Sequence, residues 1–115
     1  MKMKNNFKGK KTLAELQKLV DRWINQFEEG YWPPLSQLAS IMEEVGEVSR
    51  IINALEGYKK FKPDEKVEPL DEELGDLLFS LICLANYYKI DLECAFFKIL
   101  KKYDERDVNR WTLKK

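Results

Sequence analysis

Glu43-Glu44-Val45-Gly46-Glu47-Val48 and Glu72-Glu73-Leu74-Gly75-Asp76-Leu77 decide the fold. The two stretches match position by position: acid, acid, aliphatic, glycine, acid, aliphatic. Each sits in a longer segment whose apolar residues recur every three to four positions, the spacing of an amphipathic helix. Around the first, Leu38, Ile41, Val45, Val48, Ile52 and Leu55 form one stripe of a helix from about Leu35 to Glu56, closed by Gly57. Around the second, Leu70, Leu74, Leu77, Leu81, Leu84 and Tyr88 form the stripe of a helix that continues to about Tyr88. Pro69 suits its first turn.

Outward from these, Thr12 is a candidate N-cap, and Glu15 three residues on completes a capping box. A helix follows to about Glu29, with Leu13, Leu16, Leu19, Val20, Trp23, Ile24 and Phe27 as its stripe. Gly30 ends it, and Tyr31-Trp32-Pro33-Pro34 makes a stiff aromatic turn. Residues 58–68 are charged, contain Pro63 and lack an apolar period, so they read as a loop. Asp91 is the candidate N-cap of a last helix, from Leu92 past Tyr103. No strand pattern occurs. The expected fold is all-α: a four-helix bundle-like protomer over residues 12–106, with flexible or weakly ordered termini at 1–11 and 107–115.

The acids sit in a telling place. Residues three apart on a helix have Cβ atoms about 5–6 Å apart. On the helical wheel Glu44 borders its apolar stripe, Glu47 flanks it and Glu43 points away. Glu73, Asp76 and Glu72 repeat that arrangement. Packed antiparallel, the two helices would bring Glu44, Glu47, Glu73 and Asp76 into a four-carboxylate cage. A solvated acidic face is the ordinary reading of any one such pair, but here the pair is doubled and has glycine in register. Two like charges about 5.5 Å apart repel by roughly 3 kcal/mol at an effective dielectric near 20. Several such pairs threaten a domain whose whole stability is about 5–15 kcal/mol. A bound cation removes the problem. Hard oxygen ligands favour Mg²⁺, or Mn²⁺, over Zn²⁺. Mg²⁺ commonly shares its ligands with substrate phosphates, which points to a phosphate-bearing substrate. A helix-interior glycine costs about 1 kcal/mol relative to alanine, so Gly46 and Gly75 imply a close backbone approach.

Composition excludes several classes. The chain of 115 residues has 20 basic and 20 acidic side chains, not the basic excess of a nucleic-acid binder. No apolar run has membrane-spanning length, and no signal-peptide pattern opens the chain. Cys83 and Cys94 read as buried free thiols in a reducing cytoplasm. Histidine is absent. That removes the commonest general base, any Cys-His nucleophile pair and the Glu-x-x-His ligand pairs of di-iron bundles.

The pattern Glu-Glu-x-x-Glu followed by Glu-x-x-Asp on the next long helix resembles the MazG-type nucleotide pyrophosphohydrolases of the all-α NTP pyrophosphohydrolase superfamily. The resemblance runs from about Trp23 to Arg106. It takes in the lead-in Gly30-Tyr31-Trp32-Pro33-Pro34-Leu35 and the run from Lys98 to Arg106. It implies Mg²⁺ binding at Glu44, Glu47, Glu73 and Asp76, with Glu43 matching the first acid of the motif. It also implies hydrolysis of a nucleoside triphosphate to monophosphate and pyrophosphate, and assembly as dimers or tetramers. The sequence departs from the family's Lys-Asn-x-x-Arg in the last helix, where Lys102-Tyr103-Asp104-Glu105-Arg106 carries tyrosine in place of asparagine.

Three further sets matter. Lys98, Lys102 and Arg106, at one-turn spacings, are candidate phosphate contacts against the solvated-face reading of a basic run. Arg50 is a further candidate. Trp32 and Trp23, with Phe27 and Tyr31, are candidates to stack a nucleobase, although Trp23 and Phe27 also read as plain core. Phe79, Ile82 and Cys83 lie off the main stripe of their helix, so that helix is expected in a homo-oligomer interface. The expected chemistry is water attack at the α-phosphorus, with Glu47 and Glu44 as candidate bases. The rival is a non-catalytic helical module that binds a nucleotide or cation.

Overall fold

The computed structural model describes residues 7–115. The expected tail at 1–11 falls partly outside them, and residues 7–11 are irregular. Four helices follow: α1 (Leu13–Asn25), α2 (Pro34–Leu55), α3 (Leu70–Tyr87) and α4 (Leu92–Asp107). Among the described residues there is no strand. The fold is all-α, as the sequence predicts.

Local chemistry sets the ends. The Thr12 hydroxyl accepts from Glu15 N at 3.1 Å, and Thr12 N donates to Glu15 Oε1 at 3.1 Å, closing the capping box. α1 stops at Asn25, short of Glu29. Asn25 Nδ2 donates to the carbonyl of Asp21, and Phe27 and Gly30 then make tight i to i−3 turns. α2 ends in a Schellman motif: Tyr58 N donates to Asn53 O and Gly57 N to Ala54 O, with Gly57 at φ +81°. Pro69 is the N-cap residue of α3 rather than part of its first turn. α3 ends in the same motif, but Lys89 takes the left-handed position at φ +56°. The Asp91 carboxylate accepts from Cys94 N at 3.0 Å and caps α4.

α2 and α3 make the principal packing and run antiparallel, with α1 against α3 and α4 against α1. A single amide ties these layers together. Gln17 Nε2 donates to Asn86 Oδ1 and to Ile90 O, its Oε1 accepts from Leu92 N, and its carbonyl accepts from Asn86 Nδ2, all within 2.8–3.0 Å. Gln17 is buried.

The buried stripe of α2 is rotated from the expected one. Gln37, Ile41 and Ile51 are buried, with Glu44 and Val48 half-buried, while Leu38, Val45, Ile52 and Leu55 are exposed. On α3, Glu73, Ile82, Cys83 and Ala85 are buried, and Leu74, Leu81 and Tyr88 are exposed. Both helices carry two apolar faces, and the protomer closes only the one that holds the acids. The radius of gyration, 17.9 Å, accordingly exceeds the about 13 Å of a compact chain of this length. Cys83 is buried as expected, but Cys94 is exposed, on an α4 that buries none of its residues.

Candidate metal centre and adjoining pocket

The α2/α3 seam brings three of the four expected carboxylates together. Glu44 on α2 and Glu73 and Asp76 on α3 each place an oxygen within 4.8 Å of the others. Glu73 is 6% exposed, Glu44 half-buried and Asp76 open to solvent. A hydrogen bond with Glu44, then burial, then the charges of Glu44, Asp76 and Glu47 push the Glu73 carboxyl up to about 7. Its Oε2 is buried without a hydrogen-bond partner. Buried carboxylate oxygens are normally satisfied. An orphaned one, inside a set of hard anionic donors that repel one another, fits a divalent cation.

Glu47 stands apart. Its Oε2 lies 3.4 Å from Arg50 Nη1, and Arg50 Nη2 lies 2.6 Å from Glu65 Oε2. Glu43 is exposed, one position off the seam. Gly46 and Gly75 do not mark a close approach within the protomer: a Cβ built on either meets nothing within 4 Å.

One turn along the same seam lies a cavity of about 400 Å³, lined by Trp23, Phe27, Tyr31, Trp32, Gln37, Ser40, Phe79, Ser80 and Cys83, among others. Trp23 meets Phe27 and Phe79 edge-on, with centroids 5.2 and 5.9 Å apart. Trp32 is 61% exposed at the rim. Ser40 precedes Glu44 by four residues and Ser80 follows Asp76 by four, so the cavity begins about 6 Å along the helices, about one turn, from the acids. Phe79, expected at a subunit interface, packs here on Trp23.

Sequence reasoning missed the supports of this pocket. The Tyr31 hydroxyl donates to Asp21 Oδ1 at 2.7 Å and accepts from Asn86 Nδ2 at 3.0 Å, and burial pushes the phenol well above its usual range. Gln37 Nε2 donates to Trp32 O at 2.6 Å and fixes the aromatic turn, leaving Oε1 buried and unpartnered. A glutamine one turn before Ile41 on a buried face was the available signal. Burial holds the Cys83 thiol up at about 11, so it is no nucleophile.

Lys98, Lys102 and Arg106 line an open groove with Lys101 and Glu105, all on α4. Arg106 is held by Asp107, through Nε at 2.9 Å and Nη2 at 3.1 Å, and lies over the Tyr103 ring. α4 packs on α1, whereas the acids lie between α2 and α3.

The chain resembles known proteins over most of its length. Residues 33–111 match the family model described as MazG nucleotide pyrophosphohydrolase domain, a span that contains both acidic motifs. The uncharacterized protein YpjD of Bacillus subtilis is 45% identical over 104 residues, covering 90% of this chain and 94% of YpjD. The nucleoside triphosphate pyrophosphohydrolase/pyrophosphatase MazG of Thermotoga maritima is 35% identical over 82 residues, 64% of this chain but 32% of that longer protein. The crystal structure of YpjD superposes with a TM-score of 0.74 at 42% identity, covering 84% of this chain and 99% of YpjD. That of the Bacillus-conserved MazG protein, a nucleotide pyrophosphohydrolase, gives a TM-score of 0.72 at 42% identity, covering 85% and 95%. With residues 33–111 matched by the family model and 45% identity to YpjD over nine tenths of the chain, this chain belongs to the MazG nucleotide pyrophosphohydrolase family.

Proposed function

We propose that this chain hydrolyses a nucleoside triphosphate to the monophosphate and pyrophosphate, using Mg²⁺, or Mn²⁺ in its place, held by Glu44, Glu73, Asp76 and Glu47. The observation that carries this reading is the shared seam: an aromatic cavity and a carboxylate triad lie one helical turn apart on the same pair of helices. A base seated against Trp23 and Trp32 reaches across its ribose to set the α-phosphate at the acids. The bound ion supplies charge against the phosphates and acidifies water.

The chain's own residues supply the rest. Trp32 at the rim covers one face of the base. Glu73, buried and fixed by Glu44, anchors the ion. Glu47, at the solvent edge, completes the ligand set and accepts the proton of the water that attacks the α-phosphorus, and Glu44 is the other acceptor within reach. Lys98, Lys102 and Arg106 balance the distal phosphates. Since α4 packs on α1, they do so most directly in a homo-oligomer, a dimer or tetramer whose contacts cover the exposed apolar faces of α2 (Leu38, Val45, Ile52) and α3 (Leu74, Leu78, Leu81). Two unbridged cysteines fit a cytoplasmic protein. No described helix is long and apolar enough to cross a membrane.

A panel of ribo- and deoxyribonucleoside triphosphates, assayed for pyrophosphate release with Mg²⁺, tests this. Release by the native chain and its loss in Glu73→Gln are expected. Nucleotide binding with no release would mark a non-catalytic module.

A further inference from the structure

We propose that Arg50 is a positioning residue for Glu47: held by the connection between α2 and α3, it parks the Glu47 carboxylate beside the acidic triad and surrenders it when a divalent ion binds. The inference rests on reading the triad as a metal site.

Arg50 is fixed from the far side. Its Nη2 meets Glu65 Oε2 at 2.6 Å, and its guanidinium lies 5.1 Å over the Phe61 ring. Glu65 is itself tied down: its backbone N donates to Lys62 O at 3.0 Å, and its Oε1 accepts from Lys62 N. The planar fork of arginine can hold two carboxylates at once, which a lysine cannot do with the same geometry. Nη1 is therefore delivered to Glu47, one turn back on α2, at 3.4 Å.

The two contacts differ in kind. The Glu65 contact is short and backed by a ring. The Glu47 contact is long and joins two side chains that are both about half exposed, and such exposed pairs are weak. Glu44, Glu73 and Asp76 already converge without Glu47. Glu47 is thus the last carboxylate recruited, and Arg50 is its competitor for the ion. Removing Arg50 should tighten metal binding, and only through Glu47.

The test is calorimetric titration of Mn²⁺ into the full chain at about 0.15 M salt, where charges more than about 8 Å apart are screened. The variants are Arg50→Met, Glu47→Gln, their combination and Glu73→Gln. Arg50→Met should bind Mn²⁺ about two- to fivefold more tightly than the native chain. In the Glu47→Gln background the same substitution should change nothing. Arg50→Gln should reproduce Arg50→Met, and melting temperatures in EDTA check that each variant is folded. Equal or weaker affinity in Arg50→Met, or equal tightening in both backgrounds, overturns the proposal while leaving the metal site standing. Absence of a Glu73-dependent Mn²⁺ site in the native chain overturns the site and the proposal with it.

Discussion

Glu73 and Glu44 face each other across the α2/α3 seam with oxygens within 4.8 Å, and this approach is the first cause that raises the Glu73 carboxyl to about 7. The metal-free site therefore takes up a proton more readily than an isolated carboxyl does, and a cation competes with it. Because Glu73 Oε2 has no partner, the proton relieves part of the strain and leaves the rest.

The first prediction follows from its sign. The folded Glu73 carboxyl titrates at about 7, above its ordinary 4.5, so between those values the folded chain binds more protons than the unfolded one. Stability from this group is fully present below the lower value and is lost as pH rises through the upper one. In EDTA the melting temperature should climb from about pH 8 to about pH 5.5. Glu73→Gln should flatten that climb. A native profile no steeper than the variant's would remove the raised titration of Glu73.

Amide substitution separates catalysis from stability. Glu73→Gln and Asp76→Asn should each lower kcat/KM by more than about 100-fold, beyond the loss typical of residues that merely support metal ligands. In EDTA both should melt at the native temperature or above it, because a repulsive charge is gone. A sharp loss of apo stability would indicate a structural ion pair.

Trp32→Ala should cost about 1–3 kcal/mol of base stacking, read as a roughly 5- to 150-fold fall in kcat/KM with the melting temperature barely changed. The ring is exposed, so the fold does not depend on it. Steady-state kinetics with the preferred nucleotide would show this, and unchanged kinetics would leave Trp32 outside the base site.

Lys102→Ala and Arg106→Ala should each lower kcat/KM by about 10- to 150-fold, the loss of a charge-assisted contact worth about 1.5–3 kcal/mol in the transition state. The two differ in the free protein. Arg106 already holds Asp107, so its loss should also loosen the end of α4. Native rates in both variants would return this run to the solvated surface.

Cleavage should fall between the α- and β-phosphates. The seam places carboxylates one turn from the base cavity, and the chain has no Gly-x-x-x-x-Gly-Lys-Ser/Thr loop to cradle phosphates for γ-transfer. In ¹⁸O water, phosphorus NMR should find the label on the monophosphate. Label in orthophosphate beside a nucleoside diphosphate would contradict the mechanism.

What the sequence made legible was local. The Thr12 capping box, Gly57 and the Asp91 cap each act within a few residues, and all three stand where the pattern predicts. The helix periods and the doubled acids were equally readable. The rotation of the buried stripes was not. On α2 the positions of Ile41 and Val45 are both apolar, and a period cannot say which face meets its own chain. The Glu47–Arg50–Glu65 chain was hidden for another reason: it joins a helix to a loop 15 residues on, and loop placement follows from the packing rather than from the local pattern. Gly46 and Gly75 misled because helix interiors tolerate a glycine at a cost, whether or not anything approaches it.

The Gln17 amide has a consequence for how the molecule comes apart. It stitches α1 to the turn that begins α4, and Asn86, which it grips, also carries the hydroxyl of Tyr31. Cooperative opening units follow such joints. Hydrogen exchange should release α1, α4 and the aromatic turn together, ahead of a more persistent α2–α3 hairpin. The wall of the cavity would then open while the carboxylates still face each other, so local melting would bare the cavity without the acids losing their register.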